Sequence, residues 1–380
     1  MILLPYQQHE PRIAAGVSAH ASAAVIGRTE LKSGCTLGEL TLVRADGEDV
    51  RIGSDCWFGE ASTVHIADRV FPAVIGSHVT VGRYGLVHAC TVADDCVIGE
   101  HAAVMDGSVV GPGAVIAAQS IVPPGKKLEG GWLYAGAPAR PVERVSPALL
   151  KELHEAIRSG VGTKVAHILA PARLHRLRHT PGTGVNHSFG EGVYVAPTAS
   201  IAGRVVLGPR ASVWFGVEID SGEATVEIGE ETNVQDNSRL YGGKPGEDIR
   251  IGPRVVIGHN VRIFPSLIEA DAIIGMEAII GEGTVVRAGA CVAAGSITEP
   301  GTEVAAGQVW SGRPARAARP LSERNREEFG RAVEVYIEYA ANYLACATQA
   351  RRAAGSRSQE DADTTAAPCG SHRRAGWSPR

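Results

Sequence analysis

The stretch IGPRVVIGHNVRIFPSLIEADAIIGMEAIIGEGTVV, residues 251–286, decides the fold. In it and just beyond, aliphatic residues stand at Ile251, Ile257, Ile263, Ile268, Ile274, Ile280, Val286 and Val292, in steps of 6, 6, 5, 6, 6, 6 and 6. Most are followed by Gly or Ala. A helix period cannot produce this spacing, and two-residue strand alternation would not enforce a six-residue unit. The spacing predicts a solenoid with three flat strands of about six residues per coil, one aliphatic side chain pointing inward at each face. Gly, Asn and Asp would serve the tight corners.

The same rhythm occurs earlier, at Ile75, Val81, Val87, Val92, Ile98, Val104, Val110 and Ile116. One constant offset of 176 residues relates the halves. It carries IGSDCWFGE (52–60) onto IGEETNVQD (228–236), and YAGAPAR (134–140) onto WSGRPAR (310–316). This is the hexapeptide pattern of left-handed parallel β-helices, present twice. The predicted fold class is an all-β solenoid of two such domains, each followed by an α-helix. The first spans 1–160 with a helical pattern at SPALLKELHEAIR (146–158). A basic linker covers 161–185, and the second domain covers 186–350 with its own trailing helix. Residues 351–380 read as a disordered tail.

Composition sets bounds. A net charge of -4 and a pI near 6.4 argue against nucleic acid as a partner. No apolar run reaches spanning length, so no membrane role is expected. The first residues lack a basic leader, so a cytoplasmic location is expected. Seven cysteines without a CxxC pair suit a reducing compartment and give no thiolate metal site. Only 5% of residues are aromatic, so the cores must be built from Val, Ile and Ala.

The stretches TLVRAD, TNVQDNS, VVIGH, IIGMEAII and GRPAR resemble the gamma-class carbonic anhydrases and their relatives, over about residues 10–160 and again 186–345. The resemblance implies rings of three β-helices with zinc (Zn2+, or Fe2+ or Co2+ in its place) at the contact between neighbours. Two His ligands come from one neighbour and a third from the next. Neither half keeps the whole set. The first half has Arg44 and Asp46, His65 and His88, but Arg83 at the remaining ligand position and Trp57, Gly59 and Glu60 where the family has NxQD. The second half has Asn233, Gln235, Asp236 and His259, but Tyr241 and Phe264 at its other two ligand positions and Asp220-Ser221-Gly222 in place of RGD.

These losses sort by face. The first domain retains one side of the family interface, and the second retains the opposite side. A contact between those sides would unite His65, His88 and His259, and would set Asp236 against Arg44, its partner by family analogy. The reverse contact offers Arg83, Tyr241 and Phe264, which cannot hold a metal. Three neutral imidazoles leave tetrahedral zinc an open position for water, whose pKa falls toward ~7. The expected enzyme is therefore a carbonic-anhydrase-like lyase or hydrolase using metal-bound hydroxide on CO2 or another small-molecule substrate. Gln235 and Asn233 would orient that hydroxide, with Glu60 or Tyr134 assisting. His78 and His101 read as ordinary corner residues.

Two alternatives stand beside this reading. Hexapeptide β-helices also serve as acyltransferases using acyl-CoA, although the only insertion here is the short ADRVFP (67–72). The chain could also be a non-catalytic scaffold. Self-association into a homo-oligomer through β-helix faces is expected. The sequence leaves open whether the productive contact forms within one chain or between chains.

Overall fold

The computed structural model describes residues 1–159 and 185–364, the second segment with side chains from 186 to 346. The linker thus lies outside the described residues, apart from its last position, and so does the tail from 365 onward. Both halves coil. In the first, Val43, Val64, Val87, Val104 and Val122 stack in one parallel ladder. Phe58, Val81, Ile98 and Ile116 stack in another. Their counterparts in the second half are Ile219, Leu240, Ile263 and Ile280, and Val234, Ile257, Ile274 and Val292. All of these side chains are fully buried. Each contributes about 1.5–3 kcal/mol by leaving water, so the aliphatic column is what holds the coils together.

The corners are less selective than their composition suggests. Left-handed φ values occur at Tyr84, His101, Gln119 and Glu277 as well as at Asn237 and Asn260. Backbone bonds to the neighbouring coil, such as Tyr84 N to Glu60 O and His101 N to Arg83 O, over-determine these positions and offset the strain. Gly27 is a stricter case. Its φ is +66°, and a Cβ there would collide with the Ala45 carbonyl oxygen, beside the register shift that aims Arg44 and Asp46.

Two helices follow the coils. α1 (Pro147–Ser159) packs Leu153 and Ala156 onto Val97, Val115 and Leu133. α2 (Glu323–Thr364) begins by packing Val333 and Phe329 onto Val256 and Ile273. It then runs past residue 350, so positions 351–364, read from sequence as tail, are helical. That segment holds three Ala and three Arg, good helix formers, beside one Gly, two Ser, two Asp and one Thr.

The two β-helices meet within the one chain, and the contact has a defined symmetry. Asn237 Nδ2 donates to Ala61 O (2.9 Å), Asn260 Nδ2 donates to Tyr84 O (2.9 Å), and His101 Nδ1 lies 3.3 Å from Glu277 Oε2. Each pair joins positions separated by the 176-residue offset. Matching corners therefore face each other across an axis. Away from that axis, one face of the first lobe lies against a different face of the second. The contact is thus heterologous rather than two-fold.

Candidate metal centre

His65 and His88 stand side by side on adjacent coils, in register at the ends of the strands Thr63–His65 and Leu86–His88. His259 arrives from the second lobe, just after the strand Val256–Ile257. The three rings pack with centroids 5.3 Å apart in every pair. One ring nitrogen from each lies within 4.8 Å of the other two, and all three residues are buried.

The far nitrogens explain the orientation. His65 Nδ1 lies 2.9 Å from Arg44 O, and His88 Nδ1 lies 2.6 Å from Asp106 Oδ1. Both partners are acceptors, which places the ring proton on Nδ1 and leaves Nε2 with a lone pair. His259 Nδ1 is 3.1 Å from Asp236 Oδ2, off the hydrogen-bonding direction. Its Nε2 is fully buried with no partner among the described residues. An orphaned imidazole nitrogen costs free energy unless something accepts its lone pair, and a divalent metal fits that need. Burial and nearby positive charge hold His65 well below its usual pKa, and burial holds His259 at about 4 despite Asp236. Both rings are therefore neutral at pH 7, as ligands must be.

Beneath the rings lies a fully buried ion cluster. Arg44 Nη1 donates to Asp46 Oδ2 (2.5 Å), and Arg44 Nη2 donates to Asp236 Oδ2 (3.0 Å) and to Tyr336 Oη (3.1 Å). Arg44 Nη2 is also 2.9 Å from His65 Nε2, the nitrogen a metal would take. Burial pushes the Asp46 carboxyl above the usual carboxylate range, whereas, against burial, Arg44 and His259 hold Asp236 below it, so Asp236 is the carboxylate that keeps its charge beside the rings. The Arg44 guanidinium lies 4.6 Å from the Trp214 ring centre, and the rings of Tyr336 and Tyr339 flank it.

Asp106, Trp214, Tyr336 and Tyr343 were absent from the sequence reading. Tyr343 donates to Asp46 Oδ2 at 3.3 Å. The tyrosines had a visible signal, since Tyr336, Tyr339 and Tyr343 form an i, i+3, i+7 stripe on α2.

The remaining predicted residues sit as follows. Gln235 and Asn233 are buried on the same face as Asp236, with Gln235 Nε2 donating to Asn233 Oδ1 (3.1 Å). Glu60 pairs with Arg83 at 3.7 Å, and Arg83 also pairs with Glu100 at 3.3 Å, all outside the histidine cluster. Tyr134 packs in the first lobe's core and donates to Glu129 O. Tyr241 and Phe264 lie ring to ring, 6.3 Å apart. His78 stands between Asp55 and Asp95 at the surface. His101 is more than a corner residue, because it meets Glu277 across the lobe contact.

No family model matches the chain. It is 35% identical to Protein YrdA of Escherichia coli over 151 residues, which is 38% of this chain and 82% of that protein. The chain belongs to the gamma-carbonic-anhydrase-like family of left-handed β-helix proteins. Another relative in the family is a carbonic anhydrase from Geobacillus kaustophilus, 31% identical over 44% of this chain and 92% of its own length. A solved hexapeptide transferase family protein from Anaplasma phagocytophilum is 32% identical, covering 44% of this chain and 99% of its own, with a TM-score of 0.41. Each relative is about one lobe long, and this family member carries two lobes. No helix among the described residues is long and apolar enough to cross a membrane.

Proposed function

We propose that the chain is a gamma-carbonic-anhydrase-like metalloenzyme whose single centre is assembled within one polypeptide by His65, His88 and His259. The observation that carries this is the convergence of three buried imidazoles with their ligating nitrogens inside 4.8 Å. Zinc, or ferrous iron or cobalt in its place, would supply a bound water made acidic near neutral pH, suited to CO2 hydration or a related hydrolysis. The residues of the chain do the rest. Arg44 O and Asp106 fix the rings of His65 and His88, and Asp236 Oδ2 lies 3.1 Å from His259 Nδ1. Gln235 and Asn233 present buried amides on the His259 side, and the Asn233 Nδ2 proton pair has no partner among the described residues. That amide is free to hold an oxygen of the substrate or of water.

The acyltransferase reading needs a histidine free to take a proton from a hydroxyl or amine. What favours the metal reading is that these three rings face one another, with their outer nitrogens set against Arg44 O, Asp106 and Asp236. Metal analysis of purified protein, paired with CO2 hydration and acetyl-CoA binding assays, separates the two. We expect close to one metal per chain and hydration activity that chelation removes. A folded, metal-free preparation that binds acetyl-CoA would overturn the proposal.

A further inference from the structure

The second lobe carries an arginine pair whose counterparts in the first lobe are not charged. Glu218, Arg239, Arg262 and Ile279 lie in register along one parallel ladder, side by side on one face. The equivalent ladder of the first lobe is Leu42, Thr63, Leu86 and Ala103. In that lobe the ladder is pressed against the second lobe: Thr63 Oγ1 accepts from Asn237, and Leu86 and Ala103 pack near Met276 and Ala294.

Like charges in register repel. Arg239 has compensation, since its Nε lies 3.5 Å from Glu218 Oε2, while its Nη2 donates to Tyr84 Oη and its guanidinium stacks 4.7 Å from the Tyr84 ring centre. Arg262 has none. It makes no hydrogen bond or ion pair among the described residues, and its Nε is shut off from solvent. Glu277, the acid whose charge reaches it, hydrogen-bonds Asn260 (2.6 Å) and meets His101. Burial pulls the Arg262 guanidinium below its usual range, with Arg239 adding to the pull and Glu277 opposing it. Tyr241 and Phe264 form an aromatic wall on the same sheet.

We propose that Arg239 and Arg262 form a binding site for a small oxyanion: a carboxylate, bicarbonate or phosphate bridging the two guanidinium groups. A planar or tetrahedral anion can accept from both arginines at once, supplying Arg262 with the partner it lacks and cancelling the repulsion. Neither arginine makes a hydrogen bond or ion pair with His65, His88 or His259 among the described residues.

The test is calorimetric titration of the full chain with inorganic phosphate, sodium bicarbonate and sodium acetate at constant ionic strength, with molar mass followed by light scattering. Saturable binding of one anion per chain is expected. Arg262→Leu, which installs the residue of the matching position in the first lobe, should weaken it about tenfold or more. Arg239→Thr should do the same, and His259→Ala should leave binding intact, which separates this site from the metal centre. If Arg262→Leu does not fold, Arg262→Gln gives the same readout. The proposal is overturned if the wild type binds none of the three anions, or if the arginine variants bind as the wild type does. It is equally overturned if the wild type forms oligomers that Arg262→Leu does not, since the cation then serves a carboxylate of a second copy.

Discussion

On the closed seam, His65 and His88 of the first lobe face His259 and Asp236 of the second; on the open faces, the matching positions hold Tyr241, Phe264, Arg83 and Glu60. Both sets descend from one repeated pattern. On the closed seam three imidazoles converge beside Asp236, whereas on the open faces no imidazole stands at these positions and the acid Glu60 is paired to Arg83. The difference follows from geometry. A heterologous contact between two lobes uses one face of each, so under the proposed function the two outer faces have no metal to hold.

The sharpest way to break this comparison is to remove the ligand that crosses the seam. His259→Ala should lose bound metal as completely as His65→Ala, read by elemental analysis of the purified variants. If His259→Ala retains the wild-type content, the centre does not span the lobes.

Next in size is the buried ion cluster. Asp236→Ala leaves Arg44 short of a partner in a site with no water access, and breaking such a pair costs about 3–5 kcal/mol. Denaturant unfolding should show that loss, whereas Glu60→Ala, at the matching open position, should change stability by under about 1 kcal/mol.

Asp106 tests orientation rather than ligation. Asp106→Ala frees the His88 ring to rotate and should weaken metal affinity by about 10–100-fold in a chelator competition, without abolishing it. Unchanged affinity would show that packing alone holds the ring.

The response to acid is gentler. The folded state holds His259 at about 4, whereas an unfolded imidazole titrates near ~6.5. Across that interval the unfolded chain binds more protons, so stability of the metal-free protein should fall as pH drops from about 6.5 to about 4. His259→Gln should flatten that slope in denaturation midpoints. Finally, Tyr241→His with Phe264→His should add no metal, because Arg83 still occupies the third position of that set. A gain of a second metal per chain would mean that the open faces differ from the closed seam by ligands alone.

The coils were legible because an inward side chain must recur once per face, and that writes a six-residue period into the chain. His65, His88 and His259 were legible because ligand positions lie at set places on those coils. Asp106 was harder to see. It lies one coil beyond His88, where an Asp looks like any other corner residue. Trp214, Tyr336 and Tyr343 were illegible as site residues for a different reason. They reach Arg44 or its partner Asp46 from the other lobe and from α2, and no local spacing encodes such a contact. Glu60 and Tyr134 show the converse. Their sequence neighbourhoods suggested the site, but the coil turns Glu60 toward Arg83 and Tyr134 into the core.

The sequence by itself determined two β-helices and their aliphatic cores, since both follow from short-range periodicity, and its resemblance to the family's ligand pattern implied the sorting of retained residues onto opposite faces. Only the tertiary structure decided that the two faces meet inside one chain. It also decided that α2 roofs the Arg44 cluster and that Arg262 has no hydrogen bond or ion pair among the described residues. Those outcomes depend on the rotation of one rigid lobe against the other, a quantity set by long-range packing rather than by the repeat.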